Sequence, residues 1–558
     1  MSSLILDIKI ERLVNGKPKT FTMKYNTSSK FHNDKVNFEN DNYYLLLDGI
    51  VLNKTELLKN VPNKNWVEYL IEKYQVDGSH FFKELKGSYY GFLYDKRNCK
   101  WVVFTDHISS KPIYYYEGQK HIVFSNSYSD LVDYLKQKKV NITLNEQAAY
   151  LILSYGYVFE DITITNEIKR LIIGYNAIVE SDKLSFEKFY SLSNKPVDIS
   201  EKDAIDKIDM YFRKAVQLAF EKDKEYGYKH IAALSGGLDS RMTVWVAHDL
   251  GYTDQLNITF SQSDYLDETV PKKIAADLKH EWLFKALDNG NFLKNIGETT
   301  QITGGNVLYY GLAHGLSLYN YLDFENLGIV HSGQLAFALS GLHYSSLDVC
   351  TKGEFGDGAY SKKLLHRLNL DFKEKYKNEE ILKAYIRGSY GTNQGNHGIQ
   401  KFTETYSPFY DIDFMEFALS IPIKLRYNHS LYKKWILEKY PEANNYVWEK
   451  TKQKLTDKNI NVKFKGRSIP IKNIPRLALR KFGLLKKPLN TKHHMNPLEY
   501  WYNTNSDIAT YQDEYFENTI DLLKNKTLRK DCDNLYTEGT AIEKNQVLTL
   551  LSALKLFY

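Results

Sequence analysis

Cysteine is nearly missing from this chain: three residues in 558, Cys99, Cys350 and Cys532, odd in number and far apart. No CxxC metal site can be built from them, and their scarcity points to a reducing compartment. No apolar run approaches the ~20 residues needed to span a bilayer. The opening stretch MSSLILDIKIERLVNG alternates apolar and charged positions as a strand does and has no signal-peptide core. The expected location is therefore cytoplasmic. Charge is nearly balanced, 74 basic against 68 acidic residues for a net of +6, with the excess in the last quarter. A polyanion-binding surface shows a stronger clustered excess, so no nucleic-acid partner is expected. The 44 tyrosines, accompanied by abundant Asn, Lys, Ile and Phe, read as a coding bias rather than as a stacking surface.

What is present is enough chain for two or three cores. Residues 1 to about 195 are β-rich. Short apolar runs at Tyr43–Leu47, Trp101–Phe104 and Ile122–Phe124 alternate with polar clusters, and helical spacing appears at Asn65–Tyr74 and Ser129–Lys136. The polar stretch Ser191–Lys202 reads as a linker. Beyond it Ile205, Ile208, Phe212, Ala215, Val216 and Ala219 recur at helical spacing. The strand signal His230–Leu234, the turn SGGLDS, the helical run Arg241–Leu250 and the strand signal Leu256–Phe260 follow in order, which predicts a parallel βαβ unit. The organisation expected is 1–195, 203–455 and a basic helical extension at 456–558 that packs on the middle domain.

Ser235-Gly236-Gly237-Leu238-Asp239-Ser240 lies between an apolar strand and an amphipathic helix. Adjacent glycines let the backbone turn sharply and aim several N–H groups at one point. The helix that follows presents its positive end there, which suits a phosphate. Ser235 and Ser240 can donate to phosphate oxygens, and Asp239 can hold Mg²⁺. The competing reading is a plain strand-to-helix turn. No GK[ST] follows, so this is not a Walker A loop.

LSGGLDS resembles the pyrophosphate-loop signature of the asparagine synthetase and β-lactam synthetase superfamily. Further segments match that family in its own order over roughly residues 1 to 455. These are Asp48–Asn53, Gly87–Phe92, Asp106 with Lys111–Tyr115, and Ile168, Leu171 and Gly174; then Ser263–Glu268, Ser332-Gly333, Glu404–Asp411 and Trp448–Lys452. The resemblance implies a class II glutaminase-like α+β domain of stacked antiparallel sheets. It also implies an α/β synthetase domain with a parallel sheet, of the adenine-nucleotide α-hydrolase type. The activity implied is ATP- and Mg²⁺-dependent amide formation through an acyl-adenylate. The acceptor would be the carboxylate of aspartate, a uronic acid or a peptide, the donor ammonia or an amine, and the assembly a possible homodimer.

By the same resemblance Leu234, Ser235, Gly236, Gly237, Leu238, Asp239, Ser240, Ile258, Ser332 and Gly333 would bind the nucleotide. Asp239 would also bind the metal, and Glu404, Lys450 or Lys452, and Gln334 would serve catalysis. The chain departs from the family at four places. Ser2 and Ser3 stand where the glutaminase nucleophile is a cysteine, and Asp48 replaces an oxyanion-stabilising Asn, so glutamine hydrolysis is not expected. Gln334 replaces a glutamate and Phe337 a magnesium-binding aspartate, which opens the alternative of a non-catalytic nucleotide- or partner-binding relative. His331 and His397 show no second ligand at metal spacing in the sequence, which predicts packing or surface roles.

Overall fold

A computed structural model of the chain describes residues 2–10, 20–344, 353–370, 375–457, 461–464, 467–470 and 492–558. Cys350 and most of the basic stretch after residue 457 lie outside the described residues.

The N-terminal domain consists of two stacked antiparallel sheets, as expected. The first has the order β2-β1-β8-β7-β9, with β1 Ser3–Lys9, β2 Phe21–Asn26, β7 Tyr114–Glu117, β8 His121–Ser125 and β9 Ile168–Arg170. The second runs β11-β10-β6-β5-β4-β3, with β3 Val36–Glu39, β4 Tyr43–Val51, β5 Gly87–Asp95, β6 Lys100–Thr105, β10 Tyr175–Glu180 and β11 Lys183–Lys188. Strand alternation explains the stacking. Leu4, Leu6 and Ile8 of β1 meet Tyr44 and Leu46 of β4 in a core between the sheets. Leu45 and Leu47 face the other way and join a second core with Trp66 and Leu70 of the helix Trp66–Asp77. That helix starts in a capping box between Asn65 and Glu68.

The linker is strapped rather than free. Leu192 N–H donates to Tyr385 Oη at 2.9 Å, and Asn194 Nδ2 donates to Glu380 Oε2 at 2.8 Å. Ser200 caps the helix Glu201–Glu225, in which Ile205, Ile208, Phe212, Ala215, Val216 and Ala219 are all buried as their spacing predicts.

The second domain is built on a five-stranded parallel sheet of order β14-β13-β12-β15-β16, with β12 Lys229–Ala233, β13 Gln255–Ser261, β14 Glu281–Ala286, β15 Leu327–His331 and β16 Thr405–Tyr406. The two domains are pinned by buried charge: Lys222 Nζ donates to Asp34 Oδ1 at 3.0 Å, with both side chains almost fully enclosed. The last helix, Ala541–Phe557, is buried along most of its length and reaches the N-terminal domain as well, where Gln546 Nε2 donates to Ile152 O at 3.0 Å. Among the described residues no helix is long and apolar enough to cross a membrane.

Candidate active site

Strand order reverses beside β12, with β13 and β14 on one flank and β15 and β16 on the other. In open α/β sheets a ligand crevice forms at the carboxyl ends of the strands at such a point. The chain leaves β12 through the turn 234–238 and leaves β15 through 332–336, so the two glycine-bearing segments flank this crevice. They are in close contact. A Cβ on Gly333 would stand 2.3 Å from Ser240 N and 2.5 Å from the Asp239 carbonyl carbon, and only glycine fits. Thr243 Oγ1 ties the segments further by donating to Ser332 O at 3.2 Å.

Three consecutive N–H groups of the turn each find an oxygen. Ser235 donates to Ser240 Oγ at 3.0 Å, Gly236 to Asp267 Oδ1 at 2.8 Å, and Gly237 to Ser235 Oγ at 3.2 Å. The two serine hydroxyls are themselves 2.9 Å apart. A row of amides already bonded to small, rotatable oxygen acceptors at a helix start has the donor set that phosphate oxygens require.

Asp239 begins the helix Asp239–Asp249, and its Oδ1 accepts from Tyr432 Oη at 3.0 Å. Burial pushes its carboxyl up to about 6, against the opposing pull of the Tyr432 bond and the Lys450 charge. Burial likewise raises Asp267 to about 6, against the Gly236 bond. Asp267 was legible in the sequence only as part of a matching segment without a role. The structure makes it the second carboxylate on the turn. Either carboxylate is of the type that a magnesium ion takes, since the ion commonly uses one or two and keeps its waters.

The segment 443–452 is held over the turn by Arg241, a fully buried residue that sequence reading treated only as the start of a helix. Its guanidinium donates to Ala443 O at 3.1 Å, Val447 O at 2.7 Å and Gly236 O at 3.3 Å. Glu449 N–H adds a bond to Gly236 O at 3.0 Å. This docking separates the two candidate lysines. Lys450 is near enough to Asp239 for each charge to act on the other, and partial burial lowers its ammonium pKa. Lys452 is exposed, in a left-handed turn with φ of 58°, and its backbone N–H bonds Trp448 O at 2.7 Å.

Gln334 follows Gly333, and its carbonyl accepts from Ser407 Oγ at 2.8 Å. Its side-chain Oε1 is buried with no partner among the described residues. Leu335 has φ of 66°, a left-handed conformation rare for leucine, at the position where the family pattern carries glycine. Phe337 stacks on His343 with ring centroids 5.2 Å apart, so an aromatic contact occupies the place of the family's acid.

Other expected residues lie elsewhere. Glu404 reaches the N-terminal domain. Its Oε1 accepts from Lys111 Nζ of the N-terminal domain at 2.8 Å, and both side chains are 8% exposed. Leu234 and Ile258 are 2% and 1% exposed, and Leu234 N–H bonds Ile258 O at 3.0 Å. Their side chains belong to the core, so any nucleotide contact there is left to the backbone.

His331 is packed, and it has neighbours that sequence spacing did not show. Asp223 Oδ2 accepts from His331 Nε2 at 2.7 Å and from His230 Nδ1 at 2.9 Å. These are hydrogen-bond distances between three separate elements, and the group braces the helix Glu201–Glu225 against β12 and β15. His397 is also buried, with its ring held neutral by desolvation at a pKa of about 3.

In the N-terminal domain, Asp48 is fully buried and its Oδ2 accepts from Tyr25 Oη at 2.7 Å. Ser2 lines a cavity of about 400 Å³ at the domain interface together with Lys111 and His397.

Stacked antiparallel sheets joined to a parallel sheet with a glycine turn at its switch point define a two-domain α+β and α/β architecture. Within it, residues 35–190 match the family model described as a glutamine amidotransferase domain. The match begins after Ser2. No curated protein sequence matches the chain. Among solved structures the chain is similar to the glutamine phosphoribosylpyrophosphate amidotransferase of B. subtilis, at 10% identity over 51% of this chain and 85% of that one, TM-score 0.25. It is also similar to the NH3-dependent NAD synthetase of Campylobacter jejuni, at 17% identity over 34% and 83%, TM-score 0.19. The NMN synthetase of Francisella tularensis aligns at 13% identity over 40% and 94%, TM-score 0.18. None of these scores reaches the level at which a shared fold follows.

Proposed function

We propose that the protein is an asparagine-synthetase-like ligase that forms amide bonds at the expense of ATP and does not hydrolyse glutamine itself. The observation that carries this reading is the interlock of Gly333 with the start of the helix at Asp239, which sets the serine–glycine turn and the buried carboxylate at the switch point of the sheet. In the reaction an acceptor carboxylate oxygen bonds the α-phosphorus of ATP as pyrophosphate leaves. An amine nitrogen then attacks the activated carbonyl carbon, AMP leaves, and the surplus proton passes to solvent.

The turn amides and Ser235 and Ser240 hold the phosphates in this account. Asp239, with Asp267 as a second candidate, would hold Mg²⁺, which would offset phosphate charge when bound. Lys450, placed by Arg241, neutralises charge developing at the reacting centre. Gln334 orients the acceptor and is no general base. Glu404 is assigned to the domain interface. Ammonia or an amine enters from solution.

Phe337 favours one other reading, a nucleotide-binding relative without catalysis. Exchange of labelled pyrophosphate into ATP in the presence of a panel of carboxylates separates the two. Carboxylate-dependent exchange supports the ligase, whereas tight Mg·ATP binding with no exchange under any carboxylate supports the relative.

A further inference from the structure

The pocket beside Gln334 is built by both domains. It measures about 550 Å³, within the range of sites that take drug-sized ligands and far more than a free amino acid fills. Its wall from the N-terminal domain is Gly156 and Tyr157, and Tyr310, Tyr360, His314 and Arg387 come from the second domain. Five glycines line it, and two of them have reasons in the packing. A Cβ on Gly391 would come within 3.0 Å of the Tyr157 ring, and one on Gly156 within 3.0 Å of the Tyr360 ring.

Its polar groups are arranged for an anion. No acidic side chain lines it among the described residues, and Arg387 is its one lasting cation among them, because burial holds His314 neutral with a pKa of about 4. Among the described residues Arg387 forms no ion pair. Tyr157 Oη is buried without a partner among the described residues, in a residue only 5% exposed, and so is Gln334 Oε1, an acceptor suited to a hydroxyl of the same ligand. Arg387 and Tyr157 line the same pocket. Unpartnered buried polar atoms are costly and are expected where a ligand completes them. Three tyrosine rings in one pocket suit the flat, partly apolar face of a ring-shaped ligand.

Resting on the ligase reading, we infer that this pocket takes the acceptor and that the acceptor is a carboxylate-bearing sugar of hexuronate size or larger. Arg387 is its counter-ion, Tyr157 donates to it, and Gln334 Oε1 accepts from a ring hydroxyl. The N-terminal domain thereby supplies a wall of the acceptor site through Tyr157.

Titration calorimetry on the full chain without nucleotide tests this with D-glucuronate, D-glucose and L-aspartate as probes. Glucuronate should bind at least about tenfold more tightly than glucose, which has the ring without the charge, or aspartate, which has the charge without the ring. Arg387→Gln should weaken glucuronate by about tenfold or more and Tyr157→Phe by less, with Mg·ATP affinity unchanged in both. The inference is overturned if glucuronate does not bind, if aspartate binds as tightly, if Arg387→Gln leaves glucuronate unaffected, or if the same variant weakens Mg·ATP instead. None of these readouts requires adenylation. Pyrophosphate exchange driven by another carboxylate would leave the ligase reading standing and remove only this assignment.

Discussion

Lys111 of the amidotransferase-type domain and Glu404 of the second domain form an ion pair of 2.8 Å, with each side chain 8% exposed. Such a pair gives little net stability, but breaking it leaves one charge buried and unpaired. Glu404→Gln should therefore destabilise the fold by about 3–5 kcal/mol, and Glu404→Leu combined with Lys111→Met should recover most of that loss. Urea unfolding of the two variants against the wild type checks it. Unchanged stability of Glu404→Gln together with a 10²–10⁴-fold loss of turnover, the size of a lost general base, would return Glu404 to the chemistry.

Gly333→Ala tests the interlock. Its new Cβ would meet the backbone of Asp239 and Ser240, which cannot yield as a side chain can. The segment 332–336 must move off the helix start, at a cost of about 1–3 kcal/mol. Mg·ATP affinity should drop with it, whereas Gly227→Ala, with nothing within 4 Å, should leave affinity intact.

The two raised carboxyls set a pH dependence. For an aspartate whose folded pKa lies above its unfolded value, the native state retains a proton that the unfolded chain has released between about pH 4 and 6. The ligand-free chain therefore loses stability from these groups as pH rises through that window. Mg²⁺ needs the ionised form, so its affinity should fall by about tenfold from pH 6 to pH 5. Calorimetric titrations at several pH values measure it, and a flat profile from pH 5 to 7 would contradict the assignment of Asp239.

Incubation with glutamine should release no glutamate above blank. Ser2→Cys alone should not restore hydrolysis, because the buried Asp48 carboxylate, bonded to Tyr25, stands where an oxyanion would need a donor. Steady glutamate release by that single variant would refute this account of the domain.

Much of the fold was open to reading before any coordinates, for identifiable reasons. The buried face of the helix Glu201–Glu225 and the β12–turn–helix unit follow from local periodicity and glycine placement. The N-terminal sheets showed as alternating short runs. What stayed hidden depends on contacts between distant segments. Arg241 meets residues 443–447 about 200 positions away, Tyr432 reaches Asp239 across 193, and Asp223 gathers His230 and His331 from separate strands. Nothing local marks those partners. The partner of Glu404 stayed hidden for the same reason, since a matching motif gives its position but not the Lys111 that it pairs with.

Titration of Mg·ATP into the wild-type chain and into Asp239→Asn is the most direct measurement of where the nucleotide lies. Asparagine keeps the shape and an acceptor for Tyr432 while removing the charge. The account predicts magnesium-dependent binding in the wild type and a loss of at least about tenfold in the variant, with thermal stability kept. Equal affinity in the two, or binding indifferent to Mg²⁺, would contradict it.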